Sequence, residues 1–411
     1  MTDVPKRFCF VTTFYPPFNF GGDGIAVRRL AVELARRGHH VEVAHCPDAF
    51  RLQAPADAAM EEYDDDPRIV HHQLRSGAGA LGPLVTQQTG TPGFMRRQLR
   101  TLLGSGGFDV VHFHNTSLVG ITALSYGNAI KLYTMHEHWL VCPMHVLWRY
   151  NKEPCPGKQC IRCQLKGRRP PQFWRYTGLL GRSLRHVDAF IAPSQFTRAK
   201  HAEFGMRVAA PIVHIPNFLP VPEAVEGPDV SPHQSPYFLF VGRLERIKGA
   251  HVLVDVFTRY AKANLLLAGT GADADYVKAL AQGHTHIKFL GAVSYAEIQQ
   301  LMRHAIAVIA PSIGFEVFPT VVLEANAQGT PVIGHRLGPI PEMLDGRGGL
   351  TYGDESELVA ALERLRTDAP LREAIGERGR AEYLASWTPD QHLSRYLALI
   401  KTLQTEKLSF A

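Results

Sequence analysis

The chain has 411 residues, of which 45% are hydrophobic and 20% charged, with 44 Lys and Arg against 38 Asp and Glu. This composition is that of a globular protein and excludes a disordered or fibrous chain. The length suits two domains of about 200 residues each. No apolar run approaches the roughly 20 residues that span a bilayer, and residues 1–7 show no signal-peptide pattern. We therefore expect a cytoplasmic protein.

The positive charge is concentrated in the first half of the chain. Residues 1–220 hold 26 Lys and Arg against 16 Asp and Glu, whereas the rest holds 18 against 22. We therefore expect only the first half to meet an anionic substrate or surface, such as the inner face of a membrane. No recognition motif accompanies the charge, so nucleic acid is not expected as a partner. The acidic run 61–66 is interpreted as a solvated loop.

In the first half, short apolar runs alternate with amphipathic stretches, which is the rhythm of βα units. A helix is predicted over residues 24–37, with Gly38 closing it. The apolar runs are continuous rather than alternating, which favours a parallel sheet buried on both faces. The predicted strands are 8–13, 41–45, 110–113, 131–135 and 190–192.

The βα rhythm restarts after residues 219–236, which are rich in proline and predict a linker. We therefore predict two Rossmann-like, doubly wound α/β domains, residues 1–218 and 237–388. A ligand-binding cleft is expected at the carboxyl ends of their strands. The second half is predicted to contain strands 237–241, 265–268, 288–290, 307–310 and 331–334, and helices 250–260, 295–304 and 320–328.

The strongest chemical signal is a pair of glutamates, Glu316 and Glu324, spaced E-x7-E across a strand-to-helix turn. Pro319 suits the opening of the helix, whose first amides, those of Thr320 and Val321, favour a phosphate. A carboxylate repels phosphate, so each glutamate is expected to meet hydroxyl groups instead. The alternative is a capping carboxylate and a solvated helix glutamate.

A second signal is G-R-x4-K-G, with Arg243 after a strand and Lys248 before a helix. Together they supply a guanidinium fork and a point charge that suit a diphosphate. Two such cations can neutralise a leaving diphosphate without a catalytic metal. An ordinary pair of surface cations is the alternative.

Weaker signals lie in other loops that follow strands. Gly21 and Gly22 let the backbone approach a ligand closely. His136 follows a first-half strand, and its position rather than its residue type makes it a candidate. Gly269 and Val293 follow second-half strands and mark an edge that could hold a nucleobase.

Together these residues resemble glycosyltransferase family 4 of the GT-B fold, over nearly the whole chain. The resemblance also rests on Phe14-Tyr15-Pro16-Pro17 and on Ile215-Pro216-Asn217. It implies a retaining transferase that moves a sugar from a UDP- or GDP-sugar donor to a hydroxyl acceptor, with no catalytic metal.

On that resemblance the catalytic residues are Arg243 and Lys248 at the diphosphate, Glu316 at the donor sugar, and His136 beside the sugar or the acceptor. Glu324 binds the ribose, and the final helix, 389–411, packs back on the first domain. The donor-binding set is Gly21, Gly22, Gly269, Val293, Phe318, Pro319, Thr320, Val321 and Glu324. Competing interpretations are a nucleotide-sugar epimerase, a glycan phosphorylase and an inactive nucleotide-binding scaffold of the same fold.

Four cysteines, Cys142, Cys155, Cys160 and Cys163, are spaced C-x12-C-x4-C-x2-C. Four thiolates in a short irregular segment suit a structural zinc site, although an iron–sulfur cluster or four unrelated thiols remain alternatives. Cys9 and Cys46 are interpreted as core residues.

The segment 166–176 mixes basic and aromatic residues. It could rest on an anionic membrane, or its aromatic residues could pack inside while its arginines are solvated. The second interpretation is preferred because Pro170 and Pro171 interrupt any long amphipathic helix.

Overall fold

A computed structural model describes residues 4–54, 65–222 and 230–410. The chain divides into two compact units. Unit 1 comprises Met1–His145, Gly157–Pro216 and Leu393–Ala411, and unit 2 comprises Val146–Pro156 and Asn217–His392. Most of the predicted acidic run, 61–64, and residues 223–229 of the predicted linker lie outside the described residues.

The strands and helices alternate along both units, as the sequence predicts. The strands are β1 (Arg7–Val11), β2 (His40–His45), β3 (Ile69–Gln73), β4 (Val110–Phe113), β5 (Ile130–Thr134), β6 (Trp148–Arg149), β7 (Glu153–Pro154), β8 (Ala189–Ala192), β9 (Ile212–His214), β10 (Tyr237–Val241), β11 (Asn264–Ala268), β12 (Ile287–Gly291), β13 (Ala307–Ala310), β14 (Val332–His335) and β15 (Gly349–Tyr352).

The helices connect successive strands and then close the chain. They are α1 (Gly22–Arg36), α2 (Pro47–Gln53), α3 (Leu81–Thr89), α4 (Arg96–Ser105), α5 (Cys160–Lys166), α6 (Leu179–Leu184), α7 (Gln195–Glu203), α8 (Ala250–Arg259), α9 (Ala274–Leu280), α10 (Tyr295–His304), α11 (Thr320–Ala327), α12 (Ile340–Met343), α13 (Glu355–Thr367), α14 (Ala369–Ser386) and α15 (Pro389–Phe410).

Each unit is built on one parallel sheet. In unit 1 the strand order is β3-β2-β1-β4-β5-β8-β9, and in unit 2 it is β12-β11-β10-β13-β14-β15. β6 and β7 form a separate antiparallel pair. In both sheets the order reverses beside the first strand, between β1 and β4 and between β10 and β13. Such reversals are where doubly wound sheets bind ligands.

The core of unit 2 lies on both faces of its sheet because side chains alternate along each strand. Phe238 and Phe240 of β10 join a cluster with Leu253 and Phe257 of α8. The intervening Leu239 points the other way, into a cluster formed with helices α11 and α14 among others. Burial on both faces explains why these strands are uninterrupted apolar runs.

Candidate functional site

In unit 2 the loops that leave β10 and β13 meet at the reversal of strand order. The loop after β10 turns at Gly249, which has a positive φ of 76°. A Cβ there would lie 2.0 Å from the carbonyl oxygen of Pro311, just beyond β13. Only glycine allows this approach, so the two loops that carry the predicted diphosphate residues are held side by side.

Lys248 and Glu316 are brought together by this packing. The Nζ of Lys248 donates to Glu316 Oε1 over 2.6 Å, and the hydroxyl of Ser312 donates to the same oxygen over 2.7 Å. Burial alone would raise the pKa of Glu316, but the charge and hydrogen bond of Lys248, the Ser312 hydroxyl and the charge of Arg243 together lower it. The carboxylate is therefore ionised, and a cation is fixed beside it.

Arg243 lies in the same loop as Lys248. Its Nη1 donates to Glu245 Oε1 over 2.6 Å, and just over half of its side chain is exposed. Its charge contributes to the lowered pKa of Glu316, so both predicted cations act on one carboxylate. A mobile guanidinium and a fixed ammonium suit a diphosphate, which needs several donors.

Helix α11 begins immediately after Pro319, as predicted, so the amides of Thr320 and Val321 lie in its first turn. The positive end of the helix dipole therefore lies three residues beyond Glu316. Glu324 lies inside this helix. The ring of Phe318 is buried in the core against Trp387, so a ligand could meet only its backbone.

The other unit 2 candidates have evident structural roles. A Cβ on Gly269 would lie 2.0 Å from the carbonyl oxygen of Gly242, so this glycine is required for the loops after β10 and β11 to pass each other. Val293 is partly buried against the core. Neither observation tests a role in binding the donor.

In unit 1 the glycine loop after β1 leads directly into α1. Gly21 has φ 76° and ψ −157°, a conformation that glycine alone adopts readily. A Cβ placed on Gly21 or Gly22 would meet no atom within 4 Å. Their backbone therefore faces open space at the carboxyl edge of the sheet.

Asp23, in the first turn of α1, is the most perturbed carboxyl group beside this loop. The Asn115 amide donates to its Oδ2 over 3.3 Å, and the amide of Gly24 donates to Oδ1 over 2.9 Å. Burial, together with the negative charge of Glu137, raises the pKa of Asp23 to about 6 in spite of these donors. Asp23 therefore titrates close to neutral pH.

His136 follows β5 and stacks on His114, which follows β4. The Nε2 of His136 and the Nδ1 of His114 share a hydrogen bond of 2.9 Å, and the ring centroids are 5.1 Å apart. His112 continues the row, 4.0 Å from His114 between ring centroids. The ring of His136 is thus oriented by a second histidine at the carboxyl edge of the sheet.

Glu137 supplies a second carboxylate to the same edge. Its Oε2 pairs with the Nδ1 of His145 over 2.6 Å. Its Oε1 is buried and has no hydrogen-bond partner among the described residues. A buried carboxylate oxygen without a donor is costly, and a ligand hydroxyl would satisfy it.

The sequence interpretation missed Asp23, Asn115, His114 and Ser312. No motif marks them, because Asp23 and Asn115 are 92 residues apart and meet only through the pairing of β1 with β4. The signal that could have found three of them was position, since Asp23, His114 and Asn115 closely follow the first and fourth strands.

Cys9 and Cys46 are buried, as predicted. Within residues 4–54, 65–222 and 230–410, no group of three or more His, Cys, Asp or Glu side chains is placed to hold a metal ion. Zinc at Cys142, Cys155, Cys160 and Cys163 stays a prediction. No described helix is long and apolar enough to cross a membrane.

Two family models match successive parts of this chain. A family model described as Glycosyltransferase Family 4 matches residues 20–221, and one described as Glycosyl transferases group 1 matches residues 226–382. The lipopolysaccharide core biosynthesis glycosyltransferase LpsE of Rhizobium meliloti is 32% identical over 41% of this chain and 51% of its own length. The chain thus matches about half the length of that relative.

Two further proteins match along almost their whole length. Glycogen synthase of Mycobacterium tuberculosis is 26% identical over 93% of this chain and 91% of its own. The crystal structure of Anabaena Alr3699/HepE in complex with UDP and glucose superposes with a TM-score of 0.65 at 19% identity, covering 99% of this chain and 100% of that one.

The fold is therefore that of the GT-B glycosyltransferases, with two Rossmann-like α/β units. The protein belongs to glycosyltransferase family 4. Both the fold and the family are as the sequence predicts.

Proposed function

We propose that the protein is a retaining glycosyltransferase that moves a sugar from a UDP- or GDP-sugar to a hydroxyl acceptor. The observation that carries this proposal is the carboxylate of Glu316, held by Lys248 and Ser312 in the loop that leads into α11. Cations that can bind a diphosphate thus lie beside a carboxylate that can accept hydrogen bonds from sugar hydroxyls.

Donor binding would redistribute these contacts. Lys248 and Arg243 would turn to the diphosphate, and the first turn of α11 would add its dipole. Glu316 would then accept from a hydroxyl of the donor sugar, and Glu324 from the ribose. This assignment of roles to the four residues follows from the resemblance to the family, and each role is a proposal for this chain.

In the transfer step the bond between the anomeric carbon and the diphosphate oxygen breaks, and its electron pair leaves with the diphosphate. The acceptor oxygen bonds to the same carbon from the same face. Its proton passes to an oxygen of the leaving phosphate, so atoms and charge balance and no metal is required. Arg243 and Lys248 would stabilise the developing negative charge.

The acceptor is assigned to unit 1. Asp23 lies in the first turn of α1, and Glu137, with its unpartnered Oε1, and the stacked His136 follow β5 at the carboxyl edge of that sheet. Carboxylates and imidazoles recognise hydroxyl groups, which fits a sugar or polyol acceptor.

Incubation of the purified protein with a panel of UDP- and GDP-sugars tests the proposal. We expect release of one nucleoside diphosphate, seen by mass spectrometry, and a product with unchanged anomeric configuration, seen by NMR. Interconversion of free nucleotide sugars would identify an epimerase instead. Tight nucleotide binding by calorimetry without turnover on any acceptor would identify an inactive scaffold.

We also propose a structural zinc at the four cysteines. The spacing C-x12-C-x4-C-x2-C in a short irregular segment supports it. Less than about half an equivalent of zinc in freshly purified protein would count against this site.

A further inference from the structure

Helix α3 presents its apolar side chains to solvent instead of to the core. Leu81 is 64% exposed, and Leu84 and Val85, three and four residues on, are each 37% exposed. The opposite side, which is buried, carries Gly82, Pro83 and Thr86. An ordinary surface helix has the reverse arrangement, so packing within unit 1 does not explain this apolar stripe.

Two 3₁₀ turns beside α3 expose further large apolar side chains. The turn Gly93–Met95 exposes Phe94 to 57%, and the turn Phe173–Tyr176 exposes Phe173 and Tyr176 to 63% and 61%. The preferred sequence interpretation, with the aromatic residues of this segment packed inside, is therefore wrong for two of three. Only Trp174 of these three is buried; its ring centroid lies 6.1 Å from that of Trp139, and the guanidinium of Arg175 lies against both rings.

Hydrogen bonds connect these elements and helix α5 to one another. The indole N–H of Trp174 donates to the carbonyl of Gln87 in α3 over 2.9 Å. The amides of Gln88 in α3 and Gln164 in α5 both donate to the carbonyl of Pro170, over 3.5 and 3.3 Å. The exposed Leu165 of α5, 59% accessible, thereby joins the patch. We call the surface formed by α3, α5 and the two 3₁₀ turns the apolar-basic face.

The charge around this face has one sign. No Asp or Glu occurs between Asp66 and Asp109 or between Glu153 and Asp188, whereas those two stretches contain 13 Lys and Arg. Arg96 and Arg97, two and three residues after Phe94, are exposed, as are Arg168 and Arg169 before Phe173. Exposed aromatic and leucine side chains are thus bordered by cations without a counter-charge in sequence.

We propose that the apolar-basic face docks on an anionic lipid bilayer, with α3 lying in the plane of the interface. Apolar side chains that enter the acyl boundary, surrounded by arginines at the level of the headgroups, are the arrangement that binds such surfaces. A nucleic acid would use the arginines but would leave the leucine stripe of α3 in water. The inference goes beyond the proposed function, because docking requires no transfer reaction.

Co-sedimentation of the full chain with vesicles tests the proposal. We expect binding to phosphatidylcholine vesicles that contain about 30 mol% phosphatidylglycerol, weak binding to pure phosphatidylcholine, and weaker binding as salt rises. The double variant Phe94→Ser/Phe173→Ser should lower the partition coefficient at least about tenfold. Reversing two charges in Arg96→Glu/Arg97→Glu should lower it by about thirty-fold or more, since each cation at the surface contributes about fivefold and the new carboxylates add repulsion.

Matched changes elsewhere supply the controls. Leu384→Ser/Leu408→Ser removes two exposed apolar side chains outside the face, and Arg395→Glu/Lys401→Glu reverses two exposed charges on α15. Both should bind vesicles as the unaltered protein does. Because all these positions are exposed, every variant should keep its circular dichroism spectrum and melting temperature.

Three results would overturn the proposal. These are absence of binding to anionic vesicles, equal binding by Phe94→Ser/Phe173→Ser, and equal loss in the control variants. Equal affinity for vesicles and duplex DNA, with dependence on the arginines alone, would identify a general polyanion surface instead. Nucleotide binding measured by calorimetry on the same variants keeps failure of docking separate from failure of the proposed transferase activity.

Discussion

The two candidate sites occupy equivalent places in their sheets but differ in how they carry charge. In unit 2, Glu316 pairs with Lys248, and the pKa of its carboxyl group is lowered, so this carboxylate is ionised at neutral pH. In unit 1, the pKa of Asp23 is raised to about 6. One site thus holds a carboxylate that stays charged, and the other holds one that titrates near neutrality.

This difference suits two kinds of ligand. A diphosphate is always charged, so a site that binds it gains from cations held beside it. An acceptor hydroxyl is neutral and must give up a proton, so a carboxyl group that changes protonation near pH 6, such as Asp23, suits its recognition. The following substitutions test this contrast, beginning with the largest expected effect.

Lys248→Ala should reduce turnover by about a thousandfold, because it removes a fixed cation from the proposed diphosphate site. Nucleotide affinity by calorimetry should fall with it, while the melting temperature stays close to that of the unaltered protein. Arg246→Ala, in the same 3₁₀ turn but packed on Tyr276, is the matched control and should retain turnover. Turnover within a few-fold of normal in Lys248→Ala would refute the diphosphate assignment.

Glu316→Gln should reduce turnover by about a hundredfold, since a neutral amide binds sugar hydroxyls but no longer holds Lys248 by charge. Glu245→Gln is its control, because Glu245 also pairs with a cation, Arg243, but is not assigned to the sugar. Steady-state kinetics on both variants separates the roles. Equal losses of turnover in Glu316→Gln and Glu245→Gln would mean that the carboxylates near these cations contribute only by balancing charge.

Asp23→Asn should change how stability depends on pH. The pKa of Asp23 is about 6 in the folded chain against 3.8 for the free group, so the folded state binds the proton more tightly. The contribution of Asp23 to the free energy of unfolding is fully present below about pH 4 and is lost as the pH rises through about 6. Relative to Asp23→Asn, the unaltered protein should therefore lose about 2 kcal/mol between pH 4 and pH 7.

Urea denaturation of both proteins at several pH values measures this difference. Asp275→Asn, at an exposed position, is the control and should follow the unaltered protein. If the difference in unfolding free energy between Asp23→Asn and the unaltered protein stays constant between pH 4 and pH 7, the raised pKa of Asp23 is contradicted.

His136→Ala should have the smallest effect, raising the KM for the acceptor about tenfold while nucleotide affinity stays unchanged. The ring of His136 is held by His114 and can offer the acceptor one hydrogen bond. Its loss should therefore weaken orientation of the acceptor without removing a charge from the diphosphate site. The measurement is a full two-substrate analysis. If nucleotide affinity fell and acceptor KM did not, His136 would belong to the donor side.

The sequence predicts the sheets better than it predicts the sites. Strands β4, β10 and β13 and helix α10 have the predicted bounds, because uninterrupted apolar runs and an amphipathic stretch are strong local signals. β3 was missed because its residues Ile-Val-His-His-Gln are mostly exposed polar or edge positions. The pKa of Asp23 is raised by burial and by the charge of Glu137, far along the chain, and no local pattern contains that information.

Helix α3 shows a second limit of sequence patterns. Its leucines and valine are spaced as in a core-facing helix, and only the structure shows that they face outward. The residue pattern reports that one side is apolar, but which side meets the core depends on the elements packed around it.

If Lys248 binds the diphosphate as proposed, its ion pair with Glu316 competes with the donor. The carboxylate of Glu316 already pairs with the ammonium group of Lys248, so inorganic phosphate would have to displace it. A complete nucleotide sugar can compensate, because its sugar hydroxyls give the released carboxylate new donors while its diphosphate takes the lysine. Selectivity for the intact donor over its fragments would thus follow from a contact that exists before any ligand arrives.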